Sequence, residues 1–274
     1  MDTDDASPRP TEAPARAAVL LIGDELLSGK IRDDNGYFLA QTMRRRGIAL
    51  VEIRTVGDDI AGIGHALLQL VGKASIVFTS GGVGPTHDDR TLAAIAAATG
   101  RPLTRHAELE AQLRAHYGAR INEAALRMAD LPEGTQLRAG PGWPVMRLDV
   151  DEPRSARIYI LPGVPGLLRA KVERLESLPD ELPRGTGWHL EDLFTTLDES
   201  ALARHLDAVV AGFPAVEVGS YPRWTRGEDG RVSYHVRVTL EGLAAAADQV
   251  AAARAALVAA LPADQILAEA PPTA

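Results

Sequence analysis

Four short, mostly apolar runs, each leaving through a polar or glycine-rich loop, set the tightest limit on the fold. They are "AAVLLIG" (17–23), "IALVEIRTVGDD" (48–59), "ASIVFTSGG" (74–82) and "ARIYILPG" (156–163). A short run apolar at nearly every position fits a strand covered on both faces, the usual state of a parallel strand. Helix-period segments follow at 34–47, 60–72, 88–100 and 164–178. In the first, Asp34 or Asn35 can cap, Leu39 and Met43 share a face, and Gly47 closes the helix. In the last, Pro165 sits in the first turn, with Leu168, Val172 and Leu175 on one face. Strands alternating with helices predict an α/β domain built on a mostly parallel sheet.

Residues 101–156 show a weaker pattern, with helices expected near 106–117 and 120–129. Residues 1–16 read as a disordered tail, 17–178 as the α/β domain and 179–186, rich in Pro and Gly, as a linker. From 187 to 267 the order changes to strand "LEDLFTTL", helix 199–212, strand "AVEVGSYP", strand "RVSYHVRVTL" and helix 243–261. "GEDG" between the last two strands is a hairpin signal. This order predicts a small α+β lobe of ferredoxin-like type, followed by a loose tail at 268–274.

Composition removes several function classes. The chain has 274 residues, no cysteine and a net charge of −8. Disulfides, thiolate metal sites and cysteine nucleophiles are excluded. A broadly acidic surface argues against nucleic acid as the main partner. The N-terminus lacks a basic start and an apolar core, so it does not read as a signal peptide. Asp248, Gln249 and Arg254 interrupt the alanine-rich stretch 243–261, where Leu243, Val250 and Leu257 recur at helical spacing. It reads as an amphipathic helix and not a membrane span, and the protein is expected to be cytoplasmic.

In an open parallel sheet, ligands bind beyond the carboxyl ends of the strands. Four loops are expected there. "GDELLSGK" brings Gly23, Asp24 and Glu25, "VGDD" brings Asp58, and "LPGVPG" brings Pro162, Gly163 and Pro165. "TSGGVGPTHDD" brings the most. Gly81, Gly82 and Gly84 can turn successive amides toward an anion, and Thr79, Ser80 and Thr86 can donate hydroxyl hydrogen bonds. The same loop is also compatible with a plain strand-to-helix turn. It is neither a Walker loop nor a GxGxxG fingerprint, and no GxSxG elbow occurs. Of Asp88 and Asp89, one can cap the following helix. The second, beside a phosphate cradle, calls for a divalent cation such as Mg2+. His87 is a candidate donor to phosphate or an ordinary exposed histidine. "GSYPRW" offers Arg223 for a phosphate and Tyr221 and Trp224 for stacking, packing being the simpler role.

The motifs "LIGDELLSGKIRDDNGYFL", "TVGDD", "TSGGVGPTHDDRT" and "YILPGVPGLL", in this order, resemble the molybdopterin-binding (MoaB/Mog-like) domain in the form found in competence/damage-inducible protein A (CinA). They are more similar still to the N-terminal domain of eukaryotic FAD synthases, which share "GPTHDD" and "GSYP-x-W". The resemblance spans roughly residues 17 to 262. It implies a three-layer α/β/α core with an appended lobe, and a glycine loop binding the phosphate of a pterin, including molybdopterin, or of a nucleotide. It implies an acidic residue handling a divalent metal. By motif position that is Asp89, with Asp58 a second candidate and Asp88 in the CinA-like version. The CinA-like branch is associated with metal-dependent pyrophosphate hydrolysis of ADP-ribose or FAD. The chain departs in having Asp24 where CinA proteins usually have threonine. It also lacks the amidase domain of CinA and the adenylyl-transferring domain of FAD synthase, so neither activity is expected. The expectation is a metal-dependent nucleotide pyrophosphatase acting as a homo-oligomer, dimer or trimer. The alternative is a non-hydrolytic molybdopterin- or nucleotide-binding module connected with molybdenum cofactor biosynthesis.

Overall fold

The computed structural model describes residues 14–138, 144–226 and 232–268. The chain divides into two compact units, with the boundary between Gly185 and Thr186.

The first unit runs β1 (Arg16–Ile22), α1 (Asp24–Leu27), α2 (Asn35–Arg45), β2 (Ala49–Val56), α3 (Ile60–Val71), β3 (Ile76–Ser80) and α4 (Thr91–Ala98). It continues β4 (Leu103–Arg105), α5 (Ala107–Tyr117), α6 (Glu123–Arg127), β5 (Asp130–Pro132), β6 (Gln136–Arg138), β7 (Val145–Val150), β8 (Ala156–Leu161) and α7 (Pro165–Ser177). The main sheet has the order β2-β1-β3-β8-β7-β6. The first four strands in that order are parallel; β7 and β6 extend the sheet antiparallel.

Strand β1 shows why the apolar runs are continuous. Ala18, Leu20 and Ile22 enter one core with residues of α3 and α4, including Ile63, Leu67 and Ile95. Ala17, Val19 and Leu21 enter a second core, on the other face, with Leu39 of α2 and Val172 of α7. Side chains alternate across a strand, so a strand covered on both faces must be apolar throughout. The result is the three-layer α/β/α sandwich expected above.

Two sequence expectations change here. Helix 88–100 begins only at Thr91, so residues 88–90 belong to the loop. The weakly patterned region holds four strands, β4 to β7, beside its two helices. Residues 179–186, read as a linker, are bound to the core as far as Gly185. Glu181, fully buried, accepts hydrogen bonds from Arg138 and from Arg147 at 3.1 Å. The Tyr159 hydroxyl lies 2.8 Å from its carbonyl and 2.9 Å from its carboxylate. Arg46 donates to the carbonyls of Leu182 and Pro183.

The second unit runs β9 (Trp188–Thr195), α8 (Glu199–Gly212), β10 (Glu217–Arg226), β11 (Val232–Leu243), α9 (Ala247–Ala260) and β12 (Ile266–Leu267). Its antiparallel sheet has the order β10-β11-β9-β12. With βαββαβ connectivity this is a ferredoxin-like lobe, completed by the two-residue β12 that the sequence reading lacked. The "GEDG" turn lies outside the described residues; β10 and β11 pair antiparallel on either side of it. Val250, Ala253 and Leu257 form the buried face of α9, whereas Leu243 belongs to β11. No helix among the described residues is long and apolar enough to cross a membrane.

Candidate functional site

Because β1, β2, β3 and β8 are parallel, their four exit loops share one edge of the sheet. A cleft of about 680 Å³ opens there, within the range that holds small-molecule ligands. Of the residues singled out from sequence, Glu25, Ser80, Gly81, Gly82, Gly84, Asp89, Pro162, Gly163 and Pro165 line it. Gly23, Asp24, Asp58, Thr79, Thr86, His87 and Asp88 do not.

The glycine loop forms one side of the cleft. Gly81 has φ 109°, and a Cβ on it would lie 2.1 Å from the Ile22 carbonyl oxygen. Gly82 has φ 63°, and a Cβ there would lie 2.4 Å from Thr91 Oγ1. No other residue type fits either place without moving backbone or the helix start. Thr91 fastens the loop to α4, its hydroxyl donating to the Gly81 carbonyl at 2.7 Å and its amide to the Gly82 carbonyl at 3.0 Å. The amides of Gly82 and Val83 donate to no group among the described residues. Two adjacent open amides in a loop fastened to the start of α4 are suited to an anion.

Neither Asp88 nor Asp89 caps α4; its cap residue is Arg90, which makes no side-chain capping bond. Asp89 instead closes the loop on itself. Its Oδ1 accepts from the Gly84 amide at 2.6 Å, and its Oδ2 accepts from the Thr86 amide at 2.8 Å and the Thr86 hydroxyl at 2.6 Å. Asp88 is 60% exposed, and the Thr86 hydroxyl followed by its own amide holds its carboxyl below the usual range. That hydroxyl has one proton, so it serves one carboxylate at a time. His87 is 93% exposed, 3.9 Å from Asp88.

Asp24 and Asp58 join the first two exit loops to each other. The Asp24 amide donates to Asp58 Oδ2 at 3.0 Å, and the Asp58 amide to Asp24 Oδ1 at 3.4 Å. Asp59 caps α3, accepting from the Gly62 amide at 2.7 Å. Thr79 is fully buried and its hydroxyl has no partner among the described residues. The "GSYPRW" segment lies within β10 of the second unit, where Trp224 packs against Tyr234 with ring centroids 5.1 Å apart.

The structure also brings in groups the sequence reading left aside. Asn35, treated there only as a possible cap, donates from Nδ2 to Ser80 Oγ at 3.0 Å and to the Gly163 carbonyl at 2.7 Å. It thereby ties α2 to the exits of β3 and β8. The α2 amides of Asn35 and Gly36 are satisfied by Asp33. Lys171 of α7 lines the cleft, buried, donating to the Pro144 carbonyl; burial pulls its pKa down to about 8. In all, Glu25, Asp33, Asp34 and Asp89 face the cleft against the cations Arg32 and Lys171.

No group of three or more metal-ligating side chains forms among the described residues. A single carboxylate still fits a Mg2+-type ion completed by ligand phosphates and water. Asp89 lines the cleft beside the open amides, and its Oδ1 accepts only one of the three bonds, leaving a lone pair. Asp58, held by Asp24 and absent from the lining, supplies no second ligand in this arrangement.

A sandwiched, mostly parallel sheet with a glycine-loop cleft over its carboxyl edge defines a small-molecule-binding α/β domain of the doubly wound class. Within that class, the chain belongs to the family of the probable molybdopterin binding domain, whose model matches residues 18–179. Residues 187–270 match the middle domain of FAD synthase. Protein TK1472 of Thermococcus kodakarensis is 34% identical over 218 residues, covering 76% of this chain and 85% of the relative. A probable FAD synthase of Caenorhabditis elegans is 31% identical, covering 75% of this chain and 43% of that protein. A CinA-like protein of Frankia casuarinae is 38% identical over 183 residues, 62% of this chain and 40% of its own length. The chain thus spans under half of the last two. Among solved structures, CinA from Thermoplasma acidophilum, described as of unknown function, matches with a TM-score of 0.57 and 28% identity, over 62% of this chain and 99% of its own. The resemblance carried by the motifs therefore holds, for the CinA-like branch and for its nearness to FAD synthase.

Proposed function

We propose that the protein is a divalent-metal-dependent pyrophosphohydrolase of a nucleotide diphosphate of the ADP-ribose or FAD class. The observation that carries this reading is the pair of open amides at Gly82 and Val83 beside Asp89, in a cleft whose four carboxylates outnumber its two cations. A diphosphate entering so acidic a cleft needs a cation to offset its charge, and Asp89 is the residue that would hold one. The ion, held by Asp89, would neutralise charge on the leaving phosphate. The chain's own residues do the positioning. Gly82 and Val83 hold the non-reacting phosphate, Asp89 fixes the loop, and Asn35 keeps the β3 and β8 exits in register. Water then attacks one phosphorus in line, the bridging P–O bond breaks, and the bridging oxygen leaves with the other phosphate. With ADP-ribose the products are AMP and ribose 5-phosphate.

A second reading, non-hydrolytic molybdopterin binding connected with molybdenum cofactor biosynthesis, is favoured by the family match over residues 18–179. A hydrolysis screen of ADP-ribose, FAD and nucleotide sugars against Mg2+, Mn2+ and chelator separates the two. Metal-dependent AMP release supports the enzyme. Absence of turnover, with a pterin bound to the purified protein, supports the carrier.

A further inference from the structure

The cleft is chemically divided. At the glycine loop it offers donors, the open amides. Its walls include Ile31, Val164 and Leu167, which are 58%, 58% and 56% exposed. Large apolar side chains left open around a cleft are suited to a flat ring. Elsewhere it carries acceptors that no donor among the described residues satisfies. Glu25 lines the cleft, with both carboxylate oxygens 2.5 Å from the position a Cβ on Gly23 would take. Its carboxylate accepts no hydrogen bond and pairs with no cation among the described residues. Asp33 differs, since it accepts from the Asn35 and Gly36 amides, and so does Asp89, which closes its loop. Asn35 is 6% exposed and its Oδ1 has no partner among the described residues. The Gly163 carbonyl can only accept, so the amide nitrogen must face it and the orientation of Asn35 is fixed. A buried acceptor without a partner is costly, and a donor that reaches it relieves that cost.

We propose that Glu25, together with Asn35, is the specificity-determining group of the cleft. It accepts two adjacent hydrogen-bond donors on the non-phosphate part of the ligand. The amino-imino edge of a guanine- or pterin-like ring and the vicinal hydroxyls of a ribose both present such a pair. A carboxylate and an amide oxygen repel phosphate, which fixes the ligand's direction: phosphate at Gly82 and Val83, ring on the apolar wall, donors at Glu25. This assignment rests on the phosphate-binding reading of the glycine loop.

The test is calorimetric titration of the wild type, Glu25→Gln and Asp89→Asn, with and without Mg2+. The probes are inorganic pyrophosphate, ADP-ribose, GDP, inosine diphosphate and 2′,3′-dideoxy-ADP. Thermal melts confirm that each variant is folded. Glu25→Gln keeps the shape and removes the charge, so ADP-ribose or GDP should bind at least about tenfold more weakly. Pyrophosphate, which has no donors, should bind as before. The penalty should vanish for the analogue lacking the donor pair: inosine diphosphate if the ring edge is read, the dideoxy compound if the ribose is read. An equal loss for pyrophosphate overturns the proposal and marks Glu25 as a cation ligand. Unchanged binding, with or without reduced turnover, also overturns it. If Asp89→Asn abolishes pyrophosphate binding while Glu25→Gln leaves nucleotides unaffected, only the acceptor assignment falls. If the wild type binds none of the probes, the phosphate reading falls and this proposal with it.

Discussion

Replacing Asp89 by asparagine tests the glycine loop directly, because the carboxylate holds three donors at once: the Gly84 amide, the Thr86 amide and the Thr86 hydroxyl. Gly84 and Thr86 approach different oxygens, and asparagine keeps only one of them. Its NH2 group would then point at a backbone amide, donor against donor. At least one charge-assisted bond is lost, worth about 1.5–3 kcal/mol when shielded. Thr86 is exposed, so water recovers part of this and the expected cost is about 1–2 kcal/mol. For a unit of this size that lowers Tm by about 2–8 °C. The effect on ligand is larger, since the loop carrying the Gly82 and Val83 amides is no longer fixed and the proposed cation site loses its charge. Affinity or turnover should fall about a hundredfold or more. Differential scanning fluorimetry and metal-dependent hydrolysis, run side by side, measure both. Thr86→Ala is the control: it removes one hydroxyl and leaves the Asp89 charge, so Tm should drop slightly and activity stay within about threefold. An Asp89→Asn protein with Tm within about 1 °C of wild type and full ligand affinity would refute the clasp and the phosphate cradle together.

Two further substitutions probe buried charge. Lys171 has a folded pKa of about 8 against its ordinary 10.5. Between those values the unfolded chain holds a proton the folded chain has released, so stability should rise with pH across that window. The slope is at most about 1.4 kcal/mol per pH unit, and Lys171→Met should flatten it in urea melts. Glu181 is pushed up by burial, but Tyr159, Arg147 and Arg138 outweigh that and leave its pKa below the ordinary carboxylate value. Its stabilisation is therefore complete above that value and lost as pH falls through the lowered one. Glu181→Gln should cost about 3–5 kcal/mol near neutral pH and weaken the acid dependence, read by denaturant melts from neutral to acid pH.

The alternation of apolar runs and helix-period segments was enough to define the parallel sheet and its shared loop edge, because covering on both faces keeps nearly every residue of β1, β3 and β8 buried. Helix α8 begins and ends at the residues the sequence indicates, Glu199 and Gly212, because Asp198 is a local cap, accepting from the Ala201 amide at 3.0 Å. Glycines 81 and 82 were legible for a similar reason: a positive φ leaves a mark on residue choice. The short strands β4 to β6 and β12 left no such mark. They have two or three residues each, too few to show a period; β6 and β12 add to the longer strands β7 and β9, and β4 and β5 pair only with each other. The site divides in the same way. Sequence brought the loops together, but which carboxylates face the cleft was decided by contacts distant along the chain. Asp24 meets Asp58 across 34 residues, and Asn35 meets Gly163 across 128. An aspartate before a helix reads locally as a cap, and only the folded loop turns Asp89 inward onto the Gly84 and Thr86 amides. Lys171 lies on a helix whose period shows a buried face, yet its place in the wall of the cleft follows from the packing of α7 beside the edge of the sheet. Propensity and capping act over a few residues and are written in order along the chain. Which side chain is left without a partner is settled only when every other group has found one.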